Sequence, residues 1–414
     1  MNSFVQTIGR LRFAARRREG ANLGAGVVGI GALILGVGLI YDAFDWRQAA
    51  LYGIGGALGV VLYHAAFGFT SAWRAFLTDG RGAGLRAQML MLAVASVLFL
   101  PALSEGSFFG RAIVGAVAPL SVSLIVGAFM FGIGMQLGGA CASGTLFTAG
   151  GGSTRMWITL AAFIAGSVIA TFHVPWWFSQ PGYSSYSLLI HLGLGGALGI
   201  QGLAFIAVIG LTIAIERRRH GRLVGSEKEA DAGGWRRIVR GPWPLLWGAV
   251  GLAVLNFTTL GVAGHPWGIT YGFTLWGAKI AQAMGVDVSS WTFWTWGYHK
   301  NALASSIFAN STSVMNFGIL AGAVLAAGLA RKFAPVAVWR LPWRSVAAAV
   351  IGGLLMGYGA RLAFGCNIGA FFGGIASASV HGWVWFGVAM AGTVLGTWMR
   401  PLFGLDGFSA RSPR

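Results

Sequence analysis

Apolar runs long enough to cross a membrane recur along this whole chain of 414 residues. A hydrocarbon core about 30 Å thick requires about 20 consecutive apolar residues in a helix, and such runs occupy residues 21–40, 112–137, 188–215, 245–264 and 314–330. Only 10% of the residues are charged, whereas a soluble domain carries about 25%. The sequence therefore predicts an all-α polytopic membrane protein, in contact with lipid, rather than several soluble domains.

Basic residues are concentrated in a few polar segments and give the chain a net charge of +18. They cluster before the first apolar run, between residues 216 and 243, and between residues 331 and 344. Because cytoplasmic loops of membrane proteins carry an excess of Lys and Arg, we expect a cytoplasmic N-terminus at 1–20 and a cytoplasmic linker at 216–243. Nucleic-acid binding is the weaker interpretation, since no soluble fold remains to present these charges.

The linker divides the chain into two membrane halves, residues 21–215 and 244–403, with a C-terminal tail at 404–414. A motif is repeated between the halves and contains both cysteines of the chain. It reads Gly132-x-Gly134-x-x-Leu137-x-x-Ala140-Cys141-x-x-Gly144 in the first half and Gly357-x-Gly359-x-x-Leu362-x-x-Gly365-Cys366-x-x-Gly369 in the second. Upstream, Gly68-Phe69-Thr70 pairs with Gly272-Phe273-Thr274. Each half thus contains a GFT element followed by a CxxG element.

Repeats of this kind predict two inverted halves whose matching sites meet near the middle of the membrane. The segments around the cysteines are poor continuous helices, because each glycine costs about 1 kcal/mol relative to alanine. Gly139 and Gly365, two residues before Cys141 and one residue before Cys366, are also predicted to line the substrate path. We therefore expect a helix, a break at the cysteine and a short helix that re-enters the protein.

The residues at these breaks are suited to a small anion. The free backbone N–H groups at the start of a short helix carry partial positive charge, and a neutral thiol is a weak, polarisable donor. The predicted path is lined by these groups together with hydroxyl, amide and glycine positions of the two elements: Cys141, Ser143, Gly144, Thr145, Cys366, Asn367 and Gly369. Plain packing is the alternative role for a membrane cysteine, since a free Cys behaves as a small hydrophobe.

The positions of the charged residues indicate which kind of substrate the chain can carry. The 11 acidic residues lie almost entirely in loops or at the ends of apolar runs, which argues against a proton or cation pump built on a buried carboxylate. Arg361, five residues before Cys366, can attract an anion or serve as an interfacial anchor. Gly68, Thr70 and Gly272 extend the predicted path into the GFT elements.

The chain resembles the YeeE/YedE family of bacterial sulfur-transport membrane proteins. The resemblance rests on the segments at 138–145, 359–369 and 67–74 and extends over most of the chain. It implies an inverted-repeat fold in the bacterial inner membrane and passage of thiosulfate along cysteine thiols. It also implies a small cytoplasmic sulfur-carrier partner of the TusA type. Thiosulfate-importing relatives have a further cysteine where this chain has Gly68, so another sulfur or selenium oxyanion is a second possible substrate.

Other functions fit the residues less well. A membrane thiol–disulfide electron carrier can also hold one reactive cysteine in each half, but no CxxC motif occurs here. A membrane sensor or accessory subunit is a further alternative. No phosphate loop, GxSxG motif or HExxH pair is present, so we predict neither an enzyme nor a cofactor.

Overall fold

The computed structural model describes residues 2–108, 110–224 and 234–407. The first membrane half contains α1 (Asn2–Ala43), α2 (Trp46–Ala65), α3 (Phe69–Asp79), α4 (Ala83–Glu105), α5 (Val122–Gly138), α6 (Ala142–Gly150), α7 (Thr154–Phe178) and α8 (Leu188–His220). After α9 (Trp235–Arg240), the second half contains α10 (Leu245–Ala263), α11 (Thr270–Ala283), α12 (Thr292–Thr295), α13 (Gly297–Ala304), α14 (Ser311–Leu329), α15 (Trp343–Leu362), α16 (Gly373–Ala376) and α17 (Val380–Met399). A π-helix, Asn367–Phe372, precedes α16. Two short hairpins pair β1 (Ser107–Phe108) with β2 (Arg111–Ala112) and β3 (Leu120–Ser121) with β4 (Gly182–Tyr183).

Within the described ranges, nine helical segments are long and apolar enough to cross a membrane. They are Asn22–Ala43, Trp46–Asp79, Ala83–Glu105, Val122–Gly150, Thr154–Phe178, Leu188–His220, Leu245–Ala263, Ser311–Leu329 and Trp343–Ala376. The prediction of an all-α polytopic membrane protein is confirmed.

A long helix, a break and a short helix follow one another four times along the chain. The breaks separate α2 from α3, α5 from α6, α10 from α11, and α15 from the π-helix. Ala66, Gly139 and Gly264 end the long helices in the left-handed region, which stops a helix because the next carbonyl can no longer accept the regular hydrogen bond. Each half therefore presents two broken helices, each followed by a continuous one.

The packing of these helices comes in matching pairs. Helix α7 packs along α15 while α17 packs along α5, and α2 packs along α14 while α10 packs along α4. Glycines determine how closely the helices approach at several of their crossing points. A Cβ added at Gly322 would lie 2.0 Å from the carbonyl oxygen of Gly56, and one added at Gly132 would lie 2.1 Å from that of Ala389. Only glycine allows these backbones to approach so closely.

The connections gather at two ends of the bundle. At one end, which we call the basic end, Trp243 N donates to His64 O at 2.8 Å and the Arg155 Nε–H donates to Ser345 Oγ at 2.8 Å. These contacts bring the loop before α10, the end of α2 and the starts of α7 and α15 together. The arginines at 331, 340 and 344 belong to this end by sequence.

At the other end, which we call the opposite end, different connections meet. Gln48 Nε2 donates to the carbonyl oxygen of Ala309 at 2.8 Å, and Leu188 N donates to that of Ala378 at 2.7 Å. The start of α2, the segment before α14, the start of α8 and the start of α17 therefore lie together. Since α2 begins at the opposite end and finishes at the basic end, the two ends are the two poles of the bundle.

One acidic residue near the end of an apolar helix lies inside the bundle. Glu216, expected at the end of an apolar run, has a fully buried side chain and lies 2.5 Å from Arg86 Nη1. The backbone N–H of Val224 also donates to this carboxylate. Because both charges are compensated, the pair ties α8 to α4 and does not behave as a free carboxylate in the membrane.

The expected central linker overlaps two helices. Residues 216–220 are the last turn of α8, α9 covers Trp235–Arg240, and residues 225–233 lie outside the described part of the chain. The expected C-terminal tail is described only as far as residue 407.

Candidate functional site

The first cysteine lies in a sharp break between α5 and α6. Cys141 is the residue before α6 and is only 2% exposed. Gly139 adopts φ +93°, and a Cβ there would lie 2.6 Å from Arg155 Nη1. Glycine is required at this position because a side chain would be both strained and in collision. The break thus turns the chain so that the thiol faces the protein interior.

Polar groups of α6 surround the Cys141 sulfur. Ser143 Oγ lies 3.4 Å from Sγ, and the backbone N–H groups of Ser143 and Gly144 also lie against it. The Thr145 hydroxyl donates to the Cys141 carbonyl oxygen at 2.8 Å, which fixes the first turn of α6. A Cβ at Gly144 would lie 3.5 Å from the sulfur, so the glycine leaves one side of the thiol uncovered.

The second cysteine repeats this arrangement. Cys366 is fully buried and precedes the π-helix, and the backbone N–H of Ile368 donates to its Sγ at 3.4 Å. The N–H of Gly369 also lies against this sulfur. Gly365 adopts φ +149°, and a Cβ there would lie 2.8 Å from the Ala370 nitrogen. In both elements the amides two and three residues after the cysteine face its sulfur.

The two cysteine elements touch each other. Helix α6 contacts the π-helix that follows Cys366, although the two cysteines are 225 residues apart in sequence by their numbers, 366 minus 141. Both cysteines are buried and free rather than joined in a disulfide. The structure therefore brings the repeated motifs together in the interior of the bundle.

Several polar side chains near this contact have no hydrogen-bond partner among the described residues. Both side-chain amide atoms of Asn367, the Thr70 hydroxyl and the Trp385 Nε1–H are buried and unpartnered. Phe371 of the π-helix packs against Trp385 and, through an edge contact at 6.1 Å, against Phe69 beside Thr70. Buried polar groups are otherwise nearly always paired, so these groups are available to a ligand. Trp385 was missed by the sequence analysis, because an indole without a partner can be recognised only from its neighbours.

The GFT elements are placed unequally. Gly68 immediately precedes α3, whereas Gly272 lies within the first turn of α11, where a Cβ would meet Asn316 Nδ2 at 2.6 Å. Gly268 is the glycine that lies just before the N-cap of α11. Aromatic contacts agree with this register, since Trp73 packs on Trp385 of α17, and Phe273 packs on Phe163 of α7. Trp73 and Phe273 each lie five residues after Gly68 and Gly268 respectively. Gly268 rather than Gly272 therefore matches Gly68.

Arg361 lies in the last turn of α15, before the break at Cys366. Its guanidinium carbon lies 5.8 Å from the ring centre of Tyr271 and 5.9 Å from that of Phe293. The residue is thus held between α11 and the segment before α14.

Comparison with known proteins identifies the family to which the chain belongs. The profile of the sulphur transport family matches residues 64–395, which include all four broken helices from the end of α2 onward and both cysteines. The chain belongs to the sulphur transport family. With its apolar helices, the chain is accordingly a multi-pass membrane protein of this family.

Individual relatives in the sulphur transport family are only moderately similar. The chain is 34% identical over 167 residues to the probable transporter YedE of Escherichia coli, a match that covers 39% of this chain and 38% of that protein. It is 28% identical over 355 residues to the thiosulfate transporter TsuA of Spirochaeta thermophila, covering 83% of this chain and 95% of the relative. The corresponding thiosulfate transporter TsuA of E. coli is 25% identical over 352 residues. The chain thus spans well under two thirds of YedE but nearly all of the S. thermophila TsuA.

Arginines at the basic end of this sulphur transport protein secure the turn that leads to Cys141. Arg155 Nη1 donates to Gly138 O and Arg400 Nη1 to Gln136 O, both at 2.6 Å, and Arg74 donates to the Gln136 side chain. Cations at a helix C-terminus satisfy carbonyls that lack regular partners. These arginines were not among the predicted site residues, although their position near chain breaks was visible in the sequence. Within the described ranges no cluster of His, Cys, Asp and Glu is placed to hold a metal ion.

Proposed function

We propose that this member of the sulphur transport family carries a small sulfur-containing anion across the bacterial inner membrane. The substrate class is thiosulfate or a related sulfur or selenium oxyanion. Two relatives that align over most of the chain are thiosulfate transporters by name, TsuA of S. thermophila and of E. coli. Among the described residues the one fully buried carboxylate, that of Glu216, is paired with Arg86, which favours an anion over a cation.

The path passes between the two cysteine elements. The observation that carries this proposal is the contact of α6 with the π-helix, the two short helices that follow the buried cysteines. Cys141 and Cys366 offer weak S–H donors to a soft sulfur atom, while Ser143, Thr145 and the amide of Gly144 line the first element. Neutral donors hold an anion loosely enough to release it, whereas a fixed cation at the same depth would retain it.

The second element and the break before α3 complete the path. Asn367, whose amide atoms are buried and unpartnered, supplies a stronger neutral donor next to Cys366, and Gly369 supplies a backbone amide. Thr70 offers its unpartnered hydroxyl. Gly139 and Gly365 shape the two breaks, and Gly68 lines the opening at which relatives carry a third cysteine. We assign Gly272 to helix packing and propose that Gly268 lines the path instead.

The two halves are inverted repeats, and the short helices after the cysteines re-enter the bundle from opposite ends. Two observations support this: the broken helices occur in the same order in both halves, and matching helices begin at different ends of the bundle. Helix α2 begins at the opposite end, whereas α10 begins at the basic end beside Trp243. A pseudo-two-fold arrangement of this kind lets two halves rock against each other around one central site.

The basic end faces the cytoplasm, and so does the N-terminus. The support is the concentration of arginines in the connections at this end, because positively charged loops remain on the cytoplasmic side. The anion then leaves beside Cys141, and a small sulfur-carrier protein of the TusA type receives it there. The opposite end is the side from which the anion enters.

Growth on single sulfur sources tests the proposed function. A bacterium that lacks its own sulfate and thiosulfate uptake is made to express the chain and supplied with thiosulfate, sulfite or sulfate as the only sulfur source. We expect growth on thiosulfate, and no growth when Cys141 and Cys366 are both replaced by alanine. Failure of every sulfur source to restore growth, with the protein present in the membrane, would contradict the proposal.

A further inference from the structure

A large cavity lies at the opposite end of the bundle, outside the cysteine elements. Its volume is about 670 Å³, and its walls come from the start of α2, the hairpin after α4, and the segment between α11 and α14. Arg47, Arg111 and His265 line it together with a single carboxylate, that of Asp45. The cavity is therefore polar, with more basic than acidic groups around it.

One wall of this cavity is a segment that the first half lacks. Residues 284–310 connect α11 to α14, whereas the matching connection between α3 and α4 is only residues 80–82. The longer segment forms α12 and α13 and carries a dense group of rings: Trp291, Phe293, Trp294, Trp296, Tyr298 and His299. A purely structural connection needs only the few residues used in the first half.

One ring of this segment, together with a tyrosine of α11, packs on Arg361. Tyr271 and Phe293 lie on the guanidinium at 5.8 and 5.9 Å. His299 stacks on Phe293 with ring centres 4.1 Å apart, and its Nδ1 lies 3.0 Å from the Tyr271 hydroxyl. Burial and the nearby Arg361 charge lower the pKa of His299 to about 4, so the imidazole is neutral at pH 7.

Arg361 is consequently a single positive charge in an aromatic surrounding. Among the described residues no carboxylate forms an ion pair with it. Arg361 is half-buried, and withdrawing a cation from water without a counter-ion has a cost that contact with aromatic faces only partly offsets. A guanidinium also presents a planar fork of N–H donors that matches the oxygens of an oxyanion.

We propose that a small oxyanion binds at the inner end of this cavity, against Arg361, before it reaches the cysteines. Tyr271 both lines the cavity and stacks on Arg361, so its ring lies between the solvent and the site and the anion passes beside it. This proposal rests on the proposed transport function and identifies where the anion binds first.

The site gives the protein two successive filters. Arg361 distinguishes anions by charge and by oxygen geometry, so sulfate binds there as well as thiosulfate. The thiol and amide groups about Cys366, five residues further along, then distinguish anions by their terminal sulfur. An oxyanion without such a sulfur therefore binds at the outer site and is transported poorly.

Titration calorimetry of the purified protein in detergent tests the site, with thiosulfate and with sulfate as probes. The expected result is that both anions bind the unmodified chain with similar affinity. Arg361→Gln should weaken binding of both by about ten- to a hundredfold, because a charged hydrogen-bond donor is lost. Arg47→Gln, which removes the same charge from the rim of the cavity, should change affinity less than about threefold because that site is exposed and screened.

Equal binding by Arg361→Gln and the unmodified chain would overturn the proposal. A second measurement covers the case in which Arg361→Gln does not fold. Tyr271→Cys, made without the two native cysteines, should react faster with a negatively charged thiosulfonate reagent than with a positively charged one, and sulfate should slow that reaction. If the two reagents react equally fast and sulfate does not slow the reaction, the proposed site is also contradicted. If the chain restores growth on no sulfur source but still binds anions through Arg361, the proposed transport function is refuted and the proposed binding site is not.

Discussion

Cys366→Ala is expected to reduce uptake of the sulfur anion roughly ten- to a hundredfold, whereas Cys366→Ser should retain measurable uptake. A hydrogen bond to a charged group contributes about 1.5–3 kcal/mol in a buried site, and alanine removes the donor that the thiol offers. Serine keeps an O–H of similar reach and can still accept the N–H of Ile368, which in the native protein donates to Sγ at 3.4 Å. Uptake by intact cells at matched protein levels is the measurement.

The same pair of variants separates donation from covalent sulfur chemistry. If Cys366 forms a disulfide or a persulfide during transport, as a thiol–disulfide carrier would, serine cannot replace it. Complete and equal loss of uptake in well-folded alanine and serine variants would therefore contradict the donor role. Cys141 should behave in the same way, since Ser143 and two backbone amides surround its sulfur as their counterparts surround Cys366.

Asn367→Leu is expected to stabilise the protein while reducing uptake more than about tenfold. The native amide is fully buried and neither of its atoms has a partner. Burying such a group costs about 1–3 kcal/mol, so an apolar side chain of similar size should raise the free energy of unfolding by about that amount. The same substitution removes the donor that the anion uses. Thermal unfolding in detergent and uptake are measured on one preparation.

Asn256→Leu is the matched control. Asn256 is also fully buried, but its Oδ1 accepts the backbone N–H of Trp267 at 2.8 Å. Removing that acceptor leaves a buried donor unpaired, so this variant should be less stable than the native protein. If Asn367→Leu instead lowers stability as Asn256→Leu does, its amide has a structural role and not a role on the path.

The breaks at the cysteines were predictable from the sequence because they depend on local chemistry. Glycines around Cys141 and Cys366 interrupt a helix wherever they stand, and the positive φ angles of Gly139 and Gly365 confirm the positions of the breaks. The repeat also predicted that the two elements belong to matching helices. In the structure the short helices that follow the two cysteines contact each other.

Other features depended on tertiary contacts that the sequence does not display. Gly272 and Gly268 are four residues apart, about one helical turn, so a Gly-rich segment fits either register until the start of α11 is known. Glu216 appeared to end an apolar run, yet its partner Arg86 is 130 residues away in sequence. The missing partners of Asn367 and Trp385 likewise follow only from the side chains packed around them.

Flux through the purified protein in sealed liposomes tests the central claim most directly. The unmodified chain and the variant with both Cys141→Ala and Cys366→Ala are reconstituted at equal density, and entry of radiolabelled thiosulfate is followed down its own gradient. We expect entry well above that of empty liposomes for the unmodified chain and entry near that of empty liposomes for the double variant. Equal flux through the two proteins would contradict a path between the cysteine elements.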